Sequence, residues 1–264
     1  MITEGQVWVA GQPVRKPAEP VTGDAVIEAN GDRYVSRAAH KLLGVLDDLG
    51  ITVTGRALDA GSSTGGFTQV LLERGATEVV AVDVGTDQLH PLLRHDPRVR
   101  VWEQTNLRDL TVAHVQERPV DLTVADVSFI SLTMLLEPLD RVTAESGSML
   151  LMVKPQFEVG RSLLGKGGVV RSPELQRQAV GAVLDRAAAL GWRPRAAAPS
   201  RLPGPAGNRE FFVWLRRDAT PQPPDLDTLV RPLGPGSAPS GGATGGAGRA
   251  PGFDDPGPYA GPGD

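Results

Sequence analysis

Apolar residues occur in two patterns that alternate along the chain: continuous runs of strand length, and segments with helical spacing. Runs of strand length occur at seven places: 56–60, 78–84, 99–103, 120–126, 148–154, 193–199 and 211–216. Between several of these runs, apolar residues recur with the period of a helix, at 36–49, 64–74 and 174–190. This alternation predicts an α/β fold with a mostly parallel, seven-stranded sheet and helices on both faces. Ligands of such sheets bind beyond the carboxyl ends of the strands, where functional residues are therefore expected.

The two ends of the chain have different compositions. Near the start, GQVWVAGQPVRKPAEPVTGDAVIEA has two alternating apolar runs around Ala10 and Gly11, and a third after a Pro-rich crossing. This pattern predicts a small β unit, too short to be a stable domain alone. Residues 218–264 are rich in Pro, Gly, Ala and Asp with few apolar residues, which predicts a disordered tail. We therefore divide the chain into 1–30, 31–217 and 218–264.

A glycine-rich loop, LDAGSSTGGFT, follows the first strand of the predicted sheet. It lacks the Gly-Lys-Ser/Thr of a P-loop and the GxGxxG spacing of dinucleotide sites, so a phosphate ligand is disfavoured. Asp59 begins the loop, Asp83 ends the next strand where a carboxylate can accept ribose hydroxyls, and Asn106 follows the third strand. This set favours S-adenosylmethionine, a cationic adenosine compound, over an ordinary tight turn. The candidate cofactor-binding residues are Asp59, Gly61, Ser62, Ser63, Thr64, Gly65, Gly66, Phe67, Asp83, Asn106 and Asp126.

Composition and charge narrow the chemistry. The 264 residues include no cysteine, which excludes disulfides, thiolate metal sites and cysteine nucleophiles. The four histidines are scattered without ligand spacing, so we expect no metal. Neither an apolar run of membrane-spanning length nor a secretory signal is visible, and we expect a soluble cytoplasmic protein. The net charge of −4 lies wholly in residues 218–264, so a surface for nucleic acid must be a local patch on a neutral domain.

Four charged residues outside the glycine-rich loop lie near predicted strand ends or turns. Lys41 is in the first helical segment, Asp126 and Lys154 close the fourth and fifth strands, and Glu210 precedes the last strand. Taken singly, Lys41 and Glu210 are typical of solvated residues. An Asp after a strand is often a helix cap, but the positions of Asp126 and Lys154 at the expected ligand edge favour a function.

Five segments together resemble the TlyA family of FtsJ-like RNA 2′-O-methyltransferases, whose members are also named haemolysins. The segments are SRAAHK, LDAGSSTGGFT, ADVSFIS, MVKPQFE and PGPAGNREFF, and the resemblance extends from about residue 7 to residue 217. It implies a Rossmann-like methyltransferase fold, S-adenosylmethionine as cofactor, 16S and 23S ribosomal RNA as substrate, and ribosomal subunits as partners. It also implies a catalytic tetrad at Lys41, Asp126, Lys154 and Glu210.

In that tetrad, Lys154 would orient the ribose 2′-hydroxyl and accept or steer its proton. Asp126 would hold Lys154 and neutralise nearby charge. Lys41 and Glu210 would position the hydroxyl and fix the orientation of the lysine. The methyl group comes from the sulfonium, so the enzyme only has to place the hydroxyl in line with that methyl group. No metal is required.

The family's N-terminal S4 RNA-binding domain is matched only in part. GQVWVAGQPVRKPAEPV resembles the β end of an S4 domain, so residues 1–30 are expected to be its remnant. Either the true start lies upstream, or the protein lacks half of the module. A glycine-rich loop around residues 165–168 is expected to be mobile. It could close on RNA, or it could be an ordinary solvated loop without a function. The candidate cations for RNA phosphates are Arg15, Lys16, Arg33, Arg37, Lys166 and Arg171, with Arg161 and Lys41 nearby.

Two other functions stay open: methylation of another RNA target, and a non-catalytic role in RNA or ribosome binding or as a haemolysin. A cysteine-dependent pyrimidine C5 mechanism is excluded because cysteine is absent. The Asn/Asp-Pro-Pro-Tyr/Phe motif for exocyclic amines is replaced here by Ala-Asp-Val-Ser at 125–128. No amphipathic basic helix or apolar span favours membrane lysis. The target nucleotide and the oligomeric state are left open.

Overall fold

The computed structural model describes residues 7–9, 12–14, 16, 18–22, 25, 27–29, 33–218, 220 and 223–231. The strands in this part are β1 Val7–Val9, β2 Gln12–Val14, β3 Ile27–Ala29, β4 Arg56–Ala60, β5 Glu78–Val82, β6 Val99–Trp102, β7 Val120–Ala125, β8 Thr143–Val153, β9 Arg193–Pro199 and β10 Phe211–Arg216. The α-helices are α1 Ala38–Leu49, α2 Gly66–Glu73, α3 Pro91–Arg94, α4 Leu136–Val142, α5 Pro155–Glu158, α6 Pro173–Ala189 and α7 Leu226–Val230.

The predicted seven-stranded sheet is confirmed. Its strand order is β6-β5-β4-β7-β8-β10-β9. Strands β4 to β8 are parallel, and β10 is antiparallel to both β8 and β9. Because β10 runs in the opposite direction, its first residue, Phe211, pairs with Val153 at the end of β8. The residues that follow β4, β7 and β8 and the residue that precedes β10 therefore meet at one edge of the sheet.

Both faces of the sheet are covered by helices, as predicted. On one face, Leu58 and Leu151 pack with α4 and α6, and on the other face Leu150 packs with α1 and α2. Neighbouring residues of one strand join opposite clusters because side chains alternate across a sheet. Burial on both faces explains why these strands read as continuous apolar runs instead of alternating ones.

Strand β8 begins earlier than the sequence pattern predicted. Its first residue is Thr143 rather than Ser148, because Glu145 and Gly147 interrupt the apolar run without ending the strand. The buried hydroxyl of Thr143 lies 2.6 Å from that of Thr123 on β7 and donates to the Leu139 carbonyl. These polar contacts satisfy Thr143 inside the sheet, which an apolar pattern cannot reveal.

The N-terminal segment is a three-stranded antiparallel sheet in the order β2-β1-β3. The predicted β unit is therefore present in the described residues of 1–30, while its origin as an S4 remnant stays a prediction. Within this sheet, Val7 and Val14 are buried. The described residues of this small sheet belong to the same compact unit as the seven-stranded sheet, and the last residue of that unit is Arg231.

Residues 223–231 correct the prediction that the chain is disordered from 218 onward. They contain α7, which begins after Asp225, whose carboxylate accepts the N–H groups of Asp227 and Thr228. Leu229 and Val230 are buried against the core cluster of α6. Three apolar side chains among many Pro and Asp residues were too weak a signal for a helix. The rest of the predicted tail, 232–264, lies outside the described residues.

Candidate active site

Lys154 lies in the turn between β8 and α5. Pro155 opens α5 and ends the strand, because proline has no N–H to continue the ladder. The Lys154 ammonium is 2.6 Å from Asp126 Oδ1 and donates to Ser128 Oγ at 2.9 Å. Asp126 and Ser128 both follow β7, the neighbour of β8 in the sheet. Two adjacent strand ends thus bring a nearly buried ammonium and a carboxylate together.

A second ion pair joins α1 to the start of β10. Lys41 Nζ lies 2.5 Å from Glu210 Oε2, and the two side chains are only 5% and 1% exposed. Gly204 lies against the other carboxylate oxygen, since a Cβ there would be 2.6 Å from Glu210 Oε1. Within the described residues, Oε1 is buried without a hydrogen-bond partner. Removing one member of such a pair costs about 3–5 kcal/mol, because the other charge is left buried and unpaired.

These ion pairs border a cavity of about 270 Å³, which we call the lysine cavity. Lys41, Asp126 and Lys154 line it. Glu210 is not part of its wall and lies behind Lys41. The wall also contains residues of the glycine-rich loop and of the start of α2: Gly61, Ser62, Ser63, Thr64, Gly66 and Phe67.

A second cavity, of about 490 Å³, adjoins the first, and we call it the Asp83 cavity. Gly61, Ser63, Asp126 and Ser128 line both cavities. The remaining wall is formed by Asp83, Val84, Gln88, Thr105, Asn106, Leu107, Arg108, Val127, Phe129 and Ile130. The volume suits a ligand of nucleoside size, and the mixture of apolar walls with a few polar groups is typical of small-molecule sites.

Asp83 is prepared to bind hydroxyl groups. Its Oδ2 accepts the Ser63 N–H at 2.9 Å, and its Oδ1 accepts the Gly85 N–H at 2.7 Å. An ionised carboxylate has about four lone-pair sites, so each oxygen keeps one for a ligand. Two carboxylates, Asp83 and Asp126, and one guanidinium, Arg108, line this cavity. The carboxylates outnumber the cation, which fits a cationic adenosine compound.

The glycine-rich loop approaches its neighbours too closely for side chains. Gly61 has φ +86°, and a Cβ there would lie 2.7 Å from the Asp126 carbonyl oxygen. A Cβ on Gly66 would lie 2.2 Å from Ser36 Oγ and 3.0 Å from the Ala39 nitrogen. The two glycines therefore let the end of β4 and the start of α2 contact the Asp126 turn and α1.

The chain matches one known protein family over most of its length. Residues 34–217 match the family described as FtsJ-like methyltransferase. The chain belongs to this family. It is an S-adenosylmethionine-dependent methyltransferase, and the lining of the Asp83 cavity fits that cofactor.

Individual relatives are similar over most of the methyltransferase. A protein of Mycobacterium tuberculosis named 16S/23S rRNA (cytidine-2′-O)-methyltransferase TlyA is 50% identical over 220 residues, covering 82% of each chain. A Campylobacter jejuni protein named 23S rRNA (cytidine-2′-O)-methyltransferase TlyA is 39% identical over 183 residues, covering 69% of this chain and 70% of that one. A solved structure from Streptococcus thermophilus, of a protein named as a hemolysin, is 35% identical with a TM-score of 0.74. The match covers 87% of this chain and 86% of that one.

The cofactor residues predicted for the methyltransferase divide between the two cavities. Asp83 and Asn106 line the Asp83 cavity, and Asn106 Oδ1 also accepts the Arg108 N–H at 3.0 Å. Asp126, Gly61 and Ser63 line both cavities. The other loop residues on the wall of the lysine cavity are Ser62, Thr64, Gly66 and Phe67.

Two predicted cofactor residues reach neither cavity. Asp59 is fully buried beneath the loop, where its Oδ2 accepts the Thr68 hydroxyl at 2.7 Å. Burial raises the pKa of Asp59 to about 7, despite the hydrogen bond from Thr68. Gly65 precedes α2 with φ +97°, and a Cβ there would meet Leu93 and Leu89. Asp59 and Gly65 therefore support the glycine-rich loop without lining either cavity.

The predicted RNA-binding cations whose side chains the structure describes, Lys16, Arg33, Arg37 and Arg171, are exposed. Arg37 lines the lysine cavity and donates to the Pro203 carbonyl at 3.0 Å. Arg33 pairs with Glu73 at 2.8 Å. Arg15 and the side chains of Arg161 and Lys166 lie outside the described residues.

Other residues of the site carried no signal of their own in the sequence. Ser128 lies in the ADVSFIS segment, yet only the structure shows that it accepts from Lys154. Gln88 lines the Asp83 cavity and its Oε1 accepts the Ser63 hydroxyl at 3.2 Å. Both contacts join segments far apart in the chain, and a motif search treats such segments separately.

The methyltransferase was expected to need neither a membrane span nor a metal site. Among its described residues, no helix is both long and apolar enough to cross a membrane. In the same residues, no group of three or more His, Asp or Glu side chains is arranged to hold a metal ion.

Proposed function

We propose that the protein methylates ribose 2′-hydroxyls of ribosomal RNA. The observation that carries the proposal is the Lys154–Asp126 ion pair on the wall of the lysine cavity, beside the Asp83 cavity that fits the cofactor. The relatives from Mycobacterium tuberculosis and Campylobacter jejuni support it, because both are named as methyltransferases of cytidine 2′-oxygens in rRNA. A ribosomal partner and a cytoplasmic location belong to the same proposal.

We assign to Lys154 the task of activating the hydroxyl. The Lys154 nitrogen lies 2.6 Å from Asp126 Oδ1 and donates to Ser128 Oγ at 2.9 Å, and Lys154 also lines the cavity, where a ligand hydroxyl can reach it. Once its ammonium has released a proton to solvent, the Lys154 amine accepts a hydrogen bond from the 2′-hydroxyl and takes up its proton as the oxygen attacks. Asp126 stabilises the ammonium that forms. When bound, S-adenosylmethionine supplies the methyl group.

Lys41 and Glu210 have separate tasks in this proposal. Lys41 lines the lysine cavity and can donate to the ribose or to a neighbouring oxygen. Glu210 does not line the cavity, so it acts through Lys41 by holding its ammonium at 2.5 Å. Glu210 is therefore a positioning residue. The four side chains form two neutral pairs, which suits a cavity for an uncharged hydroxyl group.

Arg37 is the predicted RNA cation that borders the lysine cavity, and we propose that it contacts an RNA phosphate there. Its hydrogen bond to the Pro203 carbonyl already fixes its direction. The other predicted cations would contribute attraction that depends on salt, since phosphate contacts release counterions.

The proposal is tested by supplying labelled cofactor and unmodified small and large ribosomal subunits, and by mapping the methylated nucleotides. We expect a 2′-O-methyl product in RNA of at least one subunit. Lys154→Met keeps the length of the side chain without its charge and should lower the rate of methyl transfer about 10²–10⁴-fold. Cofactor affinity should stay within a factor of two.

Glu117→Gln, a change at an exposed residue, is the matched control and should behave like the wild type. Absence of 2′-O-methyl nucleotides from both subunits would reject rRNA as the substrate. Methylation of a different RNA in the same assay would support the alternative target. A fully active Lys154→Met enzyme would reject the assigned chemistry while leaving the substrate standing.

A further inference from the structure

The loop at residues 85–89, called the 85–89 loop, joins β5 to α3 and forms one wall of the Asp83 cavity. Gln88 is its contribution to the cavity lining. Asp87 in this loop has φ +50°, a left-handed conformation that is uncommon for a residue other than glycine. Such a conformation costs of order 1–3 kcal/mol and persists only where surrounding contacts impose it.

Those contacts come from one carboxylate. Glu103, directly after β6, accepts the backbone N–H groups of Asp87 at 2.9 Å, Gln88 at 2.9 Å and Leu89 at 3.2 Å. It also pairs with Arg94 at 2.7 Å. The Arg94 bond is the main reason that the pKa of Glu103 lies at about 2. Glu103 is therefore ionised at any pH used for an assay, and its two oxygens hold three consecutive backbone amides.

The 85–89 loop is in turn connected to the groups that face the cofactor. Gln88 Oε1 accepts the Ser63 hydroxyl, and the Ser63 N–H donates to Asp83. The Gly85 N–H donates to the same carboxylate. Leu89 packs beneath the glycine-rich loop, where a Cβ on Gly65 would be 2.8 Å from its Cδ1. A change in the 85–89 loop would therefore move Gln88 and loosen Ser63 and Asp83.

We infer that Glu103 is a positioning residue for S-adenosylmethionine. It does not line the cavity and acts through the 85–89 loop. It holds the 85–89 loop in the binding conformation before the ligand arrives, so the ligand does not have to order the loop. This inference rests on the Asp83 cavity as the cofactor site and is independent of the RNA target. Loss of Glu103 should therefore weaken cofactor binding and leave methyl transfer at saturating cofactor unchanged.

The test uses the full chain with Glu103→Gln and Glu103→Ala, titrated with S-adenosylhomocysteine by calorimetry in the absence of RNA. We expect the Kd to rise about tenfold or more for the Ala variant. The Gln variant should lie between Ala and wild type, because one amide oxygen still accepts backbone N–H groups. In the methylation assay, KM for the cofactor should rise in parallel while kcat changes less than twofold.

Hydrogen exchange gives a second readout that a general loss of stability would not reproduce. The amides of Asp87, Gln88 and Leu89 should exchange faster in free Glu103→Gln protein, and saturating S-adenosylhomocysteine should restore their protection. Amides of the sheet core should be unaffected. Glu117→Ala, at an exposed residue, is the matched control and should keep wild-type Kd and exchange.

An unchanged Kd in a folded Glu103→Gln protein would overturn the inference. So would a fall of kcat and Tm together without a specific rise in KM for the cofactor, since that pattern describes a general structural role. If the Ala variant does not fold, the Gln variant alone decides. Failure of the RNA proposal would leave the calorimetric result intact, so the two can be distinguished.

Discussion

Gly61 shows how strongly one backbone position constrains the site. Its left-handed φ of +86° and the 2.7 Å approach of the Asp126 carbonyl oxygen act together against any side chain. Gly160 has a similar φ of +80°, but nothing lies within 4 Å of a Cβ built there. A comparison of Gly61 with Gly160 therefore separates the free-energy cost of a left-handed backbone from the cost of steric overlap with neighbouring atoms.

We expect Gly160→Ala to lower the free energy of unfolding by about 1 kcal/mol, the cost of left-handed backbone. Gly61→Ala should lower it by about 3 kcal/mol or more, because steric overlap with the Asp126 turn adds to that cost. Urea unfolding of both variants measures the difference. Equal losses in the two variants would mean that the Asp126 turn moves away without resistance.

The buried carboxyl of Asp59 makes stability depend on pH. Its pKa is raised from 3.8 to about 7, mainly by desolvation, so the folded protein holds a proton that the unfolded chain has released. Stability therefore falls as the pH rises from about 4 to about 7 and levels off above that. Between pH 5 and pH 8 this group alone should remove about 3 kcal/mol.

Asp59→Asn keeps the shape of the side chain and removes this titration. The variant should gain stability relative to the wild type as the pH is raised from 5 to 8, as measured by chemical unfolding at both values. Since only the difference between the two proteins is used, other titrating groups cancel. Parallel pH profiles for the two proteins would show that Asp59 is already ionised at pH 5.

At the scale of elements, α7 contacts Arg209, the residue before Glu210, and stabilises the start of β10, the strand that follows. Arg209, next to Glu210 in the chain, donates to the carbonyls of Leu229, Val230 and Arg231 at the end of α7. Arg177 also pairs with Asp227 of this helix. The segment 223–231 is thus attached both to the core and to the turn that carries a tetrad residue.

A chain that ends after residue 222 should be less stable than one that ends after Arg231. The loss should be about 3 kcal/mol, since it exposes the surface covered by Leu229 and Val230 and leaves Arg209 without its carbonyls. Urea unfolding of the two truncated proteins gives the value. Equal stability would assign α7 no part in the folded unit.

The elements themselves were largely predictable from the sequence. Strands β4, β9 and β10 have the bounds predicted from the sequence. For β4 and β10, burial in the interior of the sheet accounts for the clear apolar pattern. The start of β8 and the whole of α7 were missed. Thr143 and Arg209 stabilise those parts through polar contacts with distant segments. Such contacts do not appear in the spacing of apolar residues along the sequence.

The functional residues of the site were predictable where they lie in short, recognisable sequence segments. Lys154 and Asp126 follow adjacent strands, so the topology alone brings them together. Glu103 had no comparable signal, since its function depends on a loop that precedes it by 14 to 16 residues. Asp59 looked like a ligand from its place in the motif, whereas its side chain points into the protein and is buried there.

For the whole molecule, the antiparallel entry of β10 is what completes the tetrad. If β10 ran parallel to β8, its preceding residue would lie at the opposite edge of the sheet, far from Lys41. The two ion pairs are also neutral as a group, in a domain that is neutral over residues 1–217. Attraction to RNA therefore has to come from surface cations, and the tetrad can be selective for an uncharged group.

The four residues shared by the lysine cavity and the Asp83 cavity have a consequence for inhibitor design. Because Gly61, Ser63, Asp126 and Ser128 line both, a compound that joins an adenosine group to a second nucleoside by a short bridge could occupy both cavities at once. The second group would bind at a high effective concentration once the first is in place. Such a bisubstrate molecule would select for enzymes in which these two cavities adjoin, and enzymes that bind the cofactor alone would gain nothing from the second half.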